Sequence, residues 1–373
     1  GRPSVTGWPH NIERHTMYIA GIVLLAIFVL LACFTRFYLR GSSLRRYDAP
    51  IPISFETPDP SDAIKGVNAY LVKNFTMGET LAAKRERFNK GGLTRDFGCE
   101  FRLQTAMFDG VEVPGEWTLV KGADPAKRLL YLHGGGFTVG SPVSHRPITA
   151  SLAKRTGCAV FAPDYRLMPE NPRMSSIVDS RAAYRWLLEN GPDGPSVAGK
   201  VAVAGDSAGG NLALSLSNWL RDKGLRMPDA VVGISPATDS AVTSPSIREN
   251  FETDMMLKPL IAKHLKVPHW LLLWGGWKVN GIRPASKLIS HVRANLAGLP
   301  PTLIHVSTAE MLYDDAKRYV NKAVMQGSTV QMQSWSHMCH VWHVFDDMLP
   351  EAQAALDEIA AFLRTHGVNK EAA

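Results

Sequence analysis

Cysteine is scarce in this chain: four in 373 residues, Cys33, Cys99, Cys158 and Cys339, widely spaced and with no C-x-x-C pair. That excludes a disulfide framework and a cysteine-built zinc site. No H-E-x-x-H run, no phosphate-cradling Gly-Lys loop and no stripe of alternating aromatic and basic residues is present, so nothing argues for zinc hydrolysis, nucleotide binding or RNA recognition. Internal repeats and low-complexity tracts are also missing. The net charge of +7 is modest, and Arg36, Arg40, Arg45 and Arg46 cluster beside an apolar segment, which marks a membrane flank more economically than a nucleic-acid footprint. What is left is ordinary globular material: 45% hydrophobic and 20% charged residues, enough for one large core.

The one long hydrophobic run is Met17 to Phe34, eighteen uncharged and nearly all apolar positions. As a helix it would cross about 27 Å of hydrocarbon. It is expected to act as a single-pass transmembrane signal anchor over 17–39, behind an N-terminal tail at 1–16. Lysine and arginine are richer after the span than before it, where only Arg2 and Arg14 occur, so the positive-inside rule places the catalytic domain in the cytoplasm. A competing expectation is export, either by a secretory signal starting at Met17 or as a lipoprotein, since Leu30-Leu31-Ala32-Cys33 loosely resembles a lipobox.

Beyond the span, strand-like runs alternate with helix-like ones, as Ala159 to Pro163 does with Ser175 to Leu188. The alternation predicts an α/β fold with a mostly parallel sheet covered by helices on both faces. Gly205-Asp206-Ser207-Ala208-Gly209 lies between an apolar run, Val201 to Ala204, and a helix-like stretch, Asn211 to Leu220. A serine on so sharp a strand-to-helix turn stands clear of the backbone, and its neighbours must be glycine or very small. Ser207 is therefore the candidate nucleophile. A second strand-like run, Leu129 to Leu132, leads into His133-Gly134-Gly135-Gly136-Phe137, where bare amides can face a developing negative charge. The expected oxyanion donors are the amide of Ala208 and two among Gly134, Gly135 and Gly136.

A serine hydroxyl needs a base, and the base needs an orienting carboxylate. Past the strand-like run Pro301 to Val306, Glu310 is the first carboxylate, with Asp314 and Asp315 as rivals a turn later, where acidic residues commonly complement a helix N-terminus. Past Val330 to Trp335 come His337, His340 and His343; His340 is favoured as base, His337 falls nearest the strand, and His343 lies deeper in the following segment, where packing is its expected role. Hydrolysis by such a set needs no metal or organic cofactor.

Together these residues resemble the hormone-sensitive lipase family (family IV) of α/β-hydrolases, which includes bacterial carboxylesterases and the arylacetamide deacetylases. The match runs from Leu129 to about Arg364 and includes His133 to Phe137, Asp164-Tyr165-Arg166-Leu167 with Pro169-Glu170, Gly205 to Gly210, Gly298-Leu299-Pro300-Pro301 and Met338 to His340. The family's acid usually appears as an aspartate four residues before a second acidic residue; Glu310 stands four before Asp314, a glutamate where aspartate is usual. Ile282 to Asn295 fits the family pattern poorly. The resemblance implies an α/β-hydrolase fold over 106–369 with a helical cap insertion at 247–280, preceded by a linker and N-terminal cap segment over 40–105, and hydrolysis of short to medium acyl esters as small-molecule substrates. Two other readings stay open. One is an amide deacetylase of the arylacetamide type; the other is a non-catalytic ligand-binding module, as in plant gibberellin receptors, which lack the histidine that His340 supplies here. The insertion carries Trp270, Trp274, Trp277 and several leucines, and could be cap core, an acyl pocket or a membrane-dipping surface. Oligomeric state is not readable from the sequence.

Overall fold

A computed structural model describes residues 9–49, 57, 60–75 and 79–369; residues 1–8 of the N-terminal tail and much of the linker at 50–59 lie outside them. An apolar helix, α1 (Pro9–Cys33), runs without a break into a six-residue π-helical turn, Phe34–Leu39. Two amphipathic helices follow, α2 (Ala63–Asn74) and α3 (Leu81–Thr94).

The strands of the main sheet are β1 (Glu100–Phe108), β2 (Val111–Leu119), β3 (Asp124–Leu132), β4 (Cys158–Pro163), β5 (Lys200–Asp206), β6 (Ala230–Ile234), β7 (Thr302–Ser307) and β8 (Val330–Trp335). Their order across the sheet is β1-β2-β4-β3-β5-β6-β7-β8. All neighbours from β4 to β8 are parallel, while β2 is antiparallel to both β1 and β4. The central strands are buried along nearly their whole length, which explains why they read as unbroken apolar runs.

Helices α4 (Arg146–Thr156), α5 (Arg173–Leu187), α6 (Ala208–Asp222), α7 (His269–Asn280), α8 (Tyr313–Met325) and α9 (Pro350–Thr365) complete the architecture. On one face Ile177, Leu212 and Leu216 of α5 and α6 pack on Leu130, Phe161 and Val203. Ala316 and Val320 of α8 extend that layer over Val231 and Ile304. On the other face Ile148, Leu152, Leu356 and Ile359 of α4 and α9 cover Leu129, Val160 and Ala202. Alternate residues of one strand thus feed opposite cores.

The sheet begins at Glu100, six residues before the boundary expected from sequence. Strand β1 pairs with β2 over its full length, and Phe101 and Leu103 alternate with Arg102 and Gln104, the pattern of a half-exposed edge strand and not the unbroken apolar run of the central strands. Phe34 to Tyr47 also does more than link: Leu39, Leu44 and Tyr47 are buried, and Asp48 bonds the Arg318 guanidinium at 2.5 Å.

Candidate active site

Every candidate group sits just beyond the C-terminal end of a parallel strand, where α/β folds gather ligands. Ser207 follows β5 directly, at φ 51° and ψ −112°. A non-glycine residue pays steric strain for that conformation, and here the surroundings leave no alternative. A Cβ on Gly209 would fall 1.8 Å from the Leu132 carbonyl oxygen, and one on Gly205 would fall 2.5 Å from the Gly209 backbone. The elbow closes only because both positions are bare. Its amide is held by the Ile234 carbonyl at 2.8 Å, which fixes the serine against the end of β6.

The glycine loop after β3 is tied to the same elbow. Asp206, which precedes the serine, is buried; its Oδ1 accepts from the Gly134 amide at 2.9 Å and from the Tyr131 hydroxyl at 2.8 Å, while Oδ2 faces His145 Nε2 at 3.3 Å. Burial alone would raise this carboxyl, but His145 and the Tyr131 hydrogen bond outweigh it and hold it below its ordinary value. The Gly134 amide is thereby committed to Asp206. Gly135 and Gly136 leave their N–H groups without an acceptor among the described residues, and Ala208 opens α6 with one of the helix's orphan donors. The donor pair left by the three glycines is Gly135 and Gly136. His133 serves the loop's shape: it stacks on Tyr165 at 4.1 Å, and burial pushes it down to about 3, so it stays neutral.

The acid and the base meet on the far side. Glu310 Oε2 lies 2.6 Å from His340 Nδ1, with both side chains almost wholly buried. Its Oε1 accepts from the Ser307 amide at 2.6 Å and from Ser235 Oγ at 3.0 Å. Ser235 in turn accepts from the Val341 amide at 3.4 Å, so the end of β6 supports both the glutamate and the histidine loop. An ionised carboxylate can only accept, so Nδ1 carries the proton and Nε2 is left with a bare lone pair. That Nε2 is buried and has no hydrogen-bond partner among the described residues. Burial pushes His340 down, but the Glu310 hydrogen bond and charge, with Asp254 and Asp206 adding, win and raise it above an ordinary histidine.

The rival groups are occupied elsewhere. Asp314 accepts from the Ser246 amide at 2.8 Å, and Asp315 from the Thr238 and Asp239 amides at 2.7 and 2.9 Å, so both carboxylates brace the loops around α8. His343 is buried against His305 at 3.1 Å and is kept neutral by desolvation. His337 is exposed, and its amide donates to Thr308.

Sequence reasoning missed the residues that hold the glutamate loop. Asn250 Nδ2 donates to the Thr308 and Glu310 carbonyls at 2.9 and 2.8 Å, Thr253 Oγ1 donates to the Ala309 carbonyl at 2.8 Å, and Asp254 Oδ2 accepts from the Met311 amide at 2.9 Å. Four successive backbone groups around Glu310 are gripped by one short stretch of the 247–280 insertion. The stretch Arg248 to Asp254 is polar at every position but Phe251, so nothing in the sequence singles out Asn250, Thr253 and Asp254. From the other side Arg85 of α3 pairs with Glu170 and donates to the Thr138 carbonyl at 2.9 Å, seating the N-terminal cap on the glycine loop.

Comparison with known proteins identifies the fold and the family. Residues 129–344, more than half of the chain, match a family defined by the α/β-hydrolase fold. An acetyl-hydrolase from Streptomyces hygroscopicus is 38% identical over 250 residues, spanning 67% of this chain and 79% of that protein. A carboxylesterase/phospholipase LipF from Mycobacterium tuberculosis is 33% identical over 267 residues, 70% of this chain and 67% of its own. The crystal structure of an esterase from the bacterial hormone-sensitive lipase family superposes with a TM-score of 0.71 at 32% identity, covering 83% of this chain and 99% of that one. The chain belongs to the hormone-sensitive lipase family of α/β-hydrolases.

Proposed function

We propose that the protein is a membrane-anchored carboxylic ester hydrolase in which Ser207, His340 and Glu310 form the catalytic triad. His340 Nε2 takes the Ser207 proton as Oγ attacks the ester carbonyl, and Glu310 stabilises the imidazolium without being protonated. The oxyanion is held by the amides of Gly135, Gly136 and Ala208, each missing donor typically costing about 3 to 4 kcal/mol of barrier. His340 then protonates the departing alkoxide, and water, deprotonated by the same nitrogen, releases the acid from the acyl-serine. His340 Nε2 makes no hydrogen bond to Ser207 Oγ in this structure; in the proposed mechanism that bond forms with substrate bound, since catalytic hydrogen bonds are often long or misaligned in the free enzyme.

The observation that carries this reading is the buried Glu310–His340 pair, 2.6 Å apart, whose Nε2 is bare, in a fold that also presents Ser207 on a strained elbow. A ligand-binding module would have no use for such a pair. The names of the relatives, acetyl-hydrolase and carboxylesterase among them, support short to medium acyl esters. Hydrolysis of p-nitrophenyl acetate through decanoate, with Ser207→Ala alongside, tests the reading; activity that survives in the variant overturns it.

The anchor is part of the same proposal. His15–Leu39 is long and apolar enough to cross a membrane and is wholly exposed in its most apolar stretch, an exposure water does not tolerate. Its continuity into the buried Leu39 favours a retained anchor over a cleaved signal. The arginines behind it favour a cytoplasmic catalytic domain.

A further inference from the structure

Helix α7 has the sequence HWLLLWGGWKVN, apolar around its whole circumference, with its polar residues confined to the ends. A helix of that kind belongs in a protein core or in lipid. Yet Leu273 is its only buried residue; Trp270 is 56% exposed, Leu271 42% and Val279 69%.

Its position is fixed relative to the end of the apolar N-terminal helix. Trp274 Nε1 donates to Thr35 Oγ1 at 2.9 Å, and the Trp274 and Trp277 rings lie 5.4 and 5.5 Å from Phe34. Arg283 stacks on Tyr38 at 4.8 Å and donates to its carbonyl at 3.1 Å, while Leu39 is buried with Leu273 and Ala241. These contacts fall on its last turns, Phe34 to Leu39, so α7 lies at the level where the chain would leave a bilayer. Residues 258–283 carry Lys258, Lys263, Lys266, Lys278 and Arg283 and no aspartate or glutamate. Tryptophan and tyrosine beside cations suit the boundary between acyl chains and anionic headgroups.

We infer that α7 is an interfacial helix, seated through Trp270, Leu271, Trp274 and Trp277 in the headgroup boundary of a bilayer containing anionic lipid. This rests on the membrane-span reading above. The same insertion grips the Glu310 loop through Asn250, Thr253 and Asp254, so the cap faces the bilayer on one side and the active site on the other. Esters dissolved in the lipid would then reach the serine from the membrane side.

The test uses the full chain in phosphatidylcholine–phosphatidylglycerol vesicles, with and without acyl-brominated phosphatidylcholine, read by tryptophan emission and by flotation. Wild type should float and be quenched by the brominated lipid. A variant with Trp270→Phe, Trp274→Phe and Trp277→Phe should float equally, hydrolyse p-nitrophenyl butyrate normally and lose the bromine-dependent quenching. Wild type that floats but is quenched no more than this variant overturns the seating of α7 while leaving the span intact. Protein that does not float overturns both. Protein that floats and is quenched in the α7-dependent way, but hydrolyses nothing, upholds the inference and counts against the esterase reading alone.

Discussion

Shortening Glu310 by one methylene tests the geometry of the acid more sharply than removing it. In Glu310→Asp the carboxylate withdraws by about 1.3 Å, one projected C–C bond, from a contact of 2.6 Å, leaving a gap beyond hydrogen-bond range. The loop is unable to follow, because Asn250, Thr253 and Asp254 hold its backbone at residues 308 to 311. A misplacement of that size costs about 10²-fold. Glu310→Gln keeps the length but loses the charge and no longer selects the Nδ1–H tautomer, which costs about 10⁴-fold, near 5.4 kcal/mol. The order of kcat/KM on p-nitrophenyl butyrate is therefore Glu, then Asp, then Gln, with circular dichroism showing all three folded. The pH profile adds a sign. Neutral His340 is the active form and Glu310 raises its pKa, so the wild-type acid limb lies above that of an ordinary histidine and moves to lower pH in Glu310→Gln even as the plateau falls. Activity within a few-fold of wild type in Glu310→Gln, with collapse in Asp314→Asn or Asp315→Asn, would refute the assignment.

Asn250→Ala frees the carbonyls of Thr308 and Glu310 and should lower kcat about tenfold or more with little change in KM; a KM effect alone would mean that the insertion only lines the pocket. Gly209→Ala drives a Cβ to 1.8 Å from the Leu132 carbonyl and should yield no folded enzyme, judged by soluble expression and melting; a stable, active variant would contradict the elbow. Removal of residues 1–33 should leave turnover of soluble esters within a few-fold, whereas removal of residues 1–44 strips Leu39 and Leu44 from their buried sites and should lower the melting temperature. Chelators should leave activity unchanged, since the proposed nucleophile, base and oxyanion donors all come from the chain.

The parts of the site legible in sequence were those in which backbone geometry forces residue identity. The elbow needs glycine at 205 and 209, the loop after β3 needs bare backbone, and buried parallel strands need unbroken apolar runs, so Ser207, the glycine loop and the ends of β5, β7 and β8 could be located within a residue or two. Glu310 reads as the first carboxylate beyond a strand end, and His340 is favoured over His337, which lies nearer its strand. Illegible were features that depend on partners far away in the chain. Asp206, between Gly205 and Ser207, carried no sequence signal of its own, yet it claims the Gly134 amide and so narrows the three glycines to two donors. Asn250 acts on carbonyls some 58 and 60 residues further on, and Ser235 joins Glu310 to the histidine loop across the sheet. Strand β1 escaped notice because it pairs on one side only and only Ala106 of its residues is buried, so it shows no long apolar run. The apolar insertion was visible as apolar, but only its docking on Phe34, Thr35 and Tyr38 separates it from ordinary cap core.

The most direct measurement is to trap the nucleophile. A p-nitrophenyl phosphonate, which mimics the tetrahedral intermediate, is added to the full chain, and the labelled peptide is mapped by mass spectrometry alongside Ser207→Ala. The account predicts stoichiometric release of p-nitrophenol, one adduct on the peptide containing Ser207, and neither in the variant. An adduct on another residue, or esterase activity in Ser207→Ala equal to wild type, would contradict it.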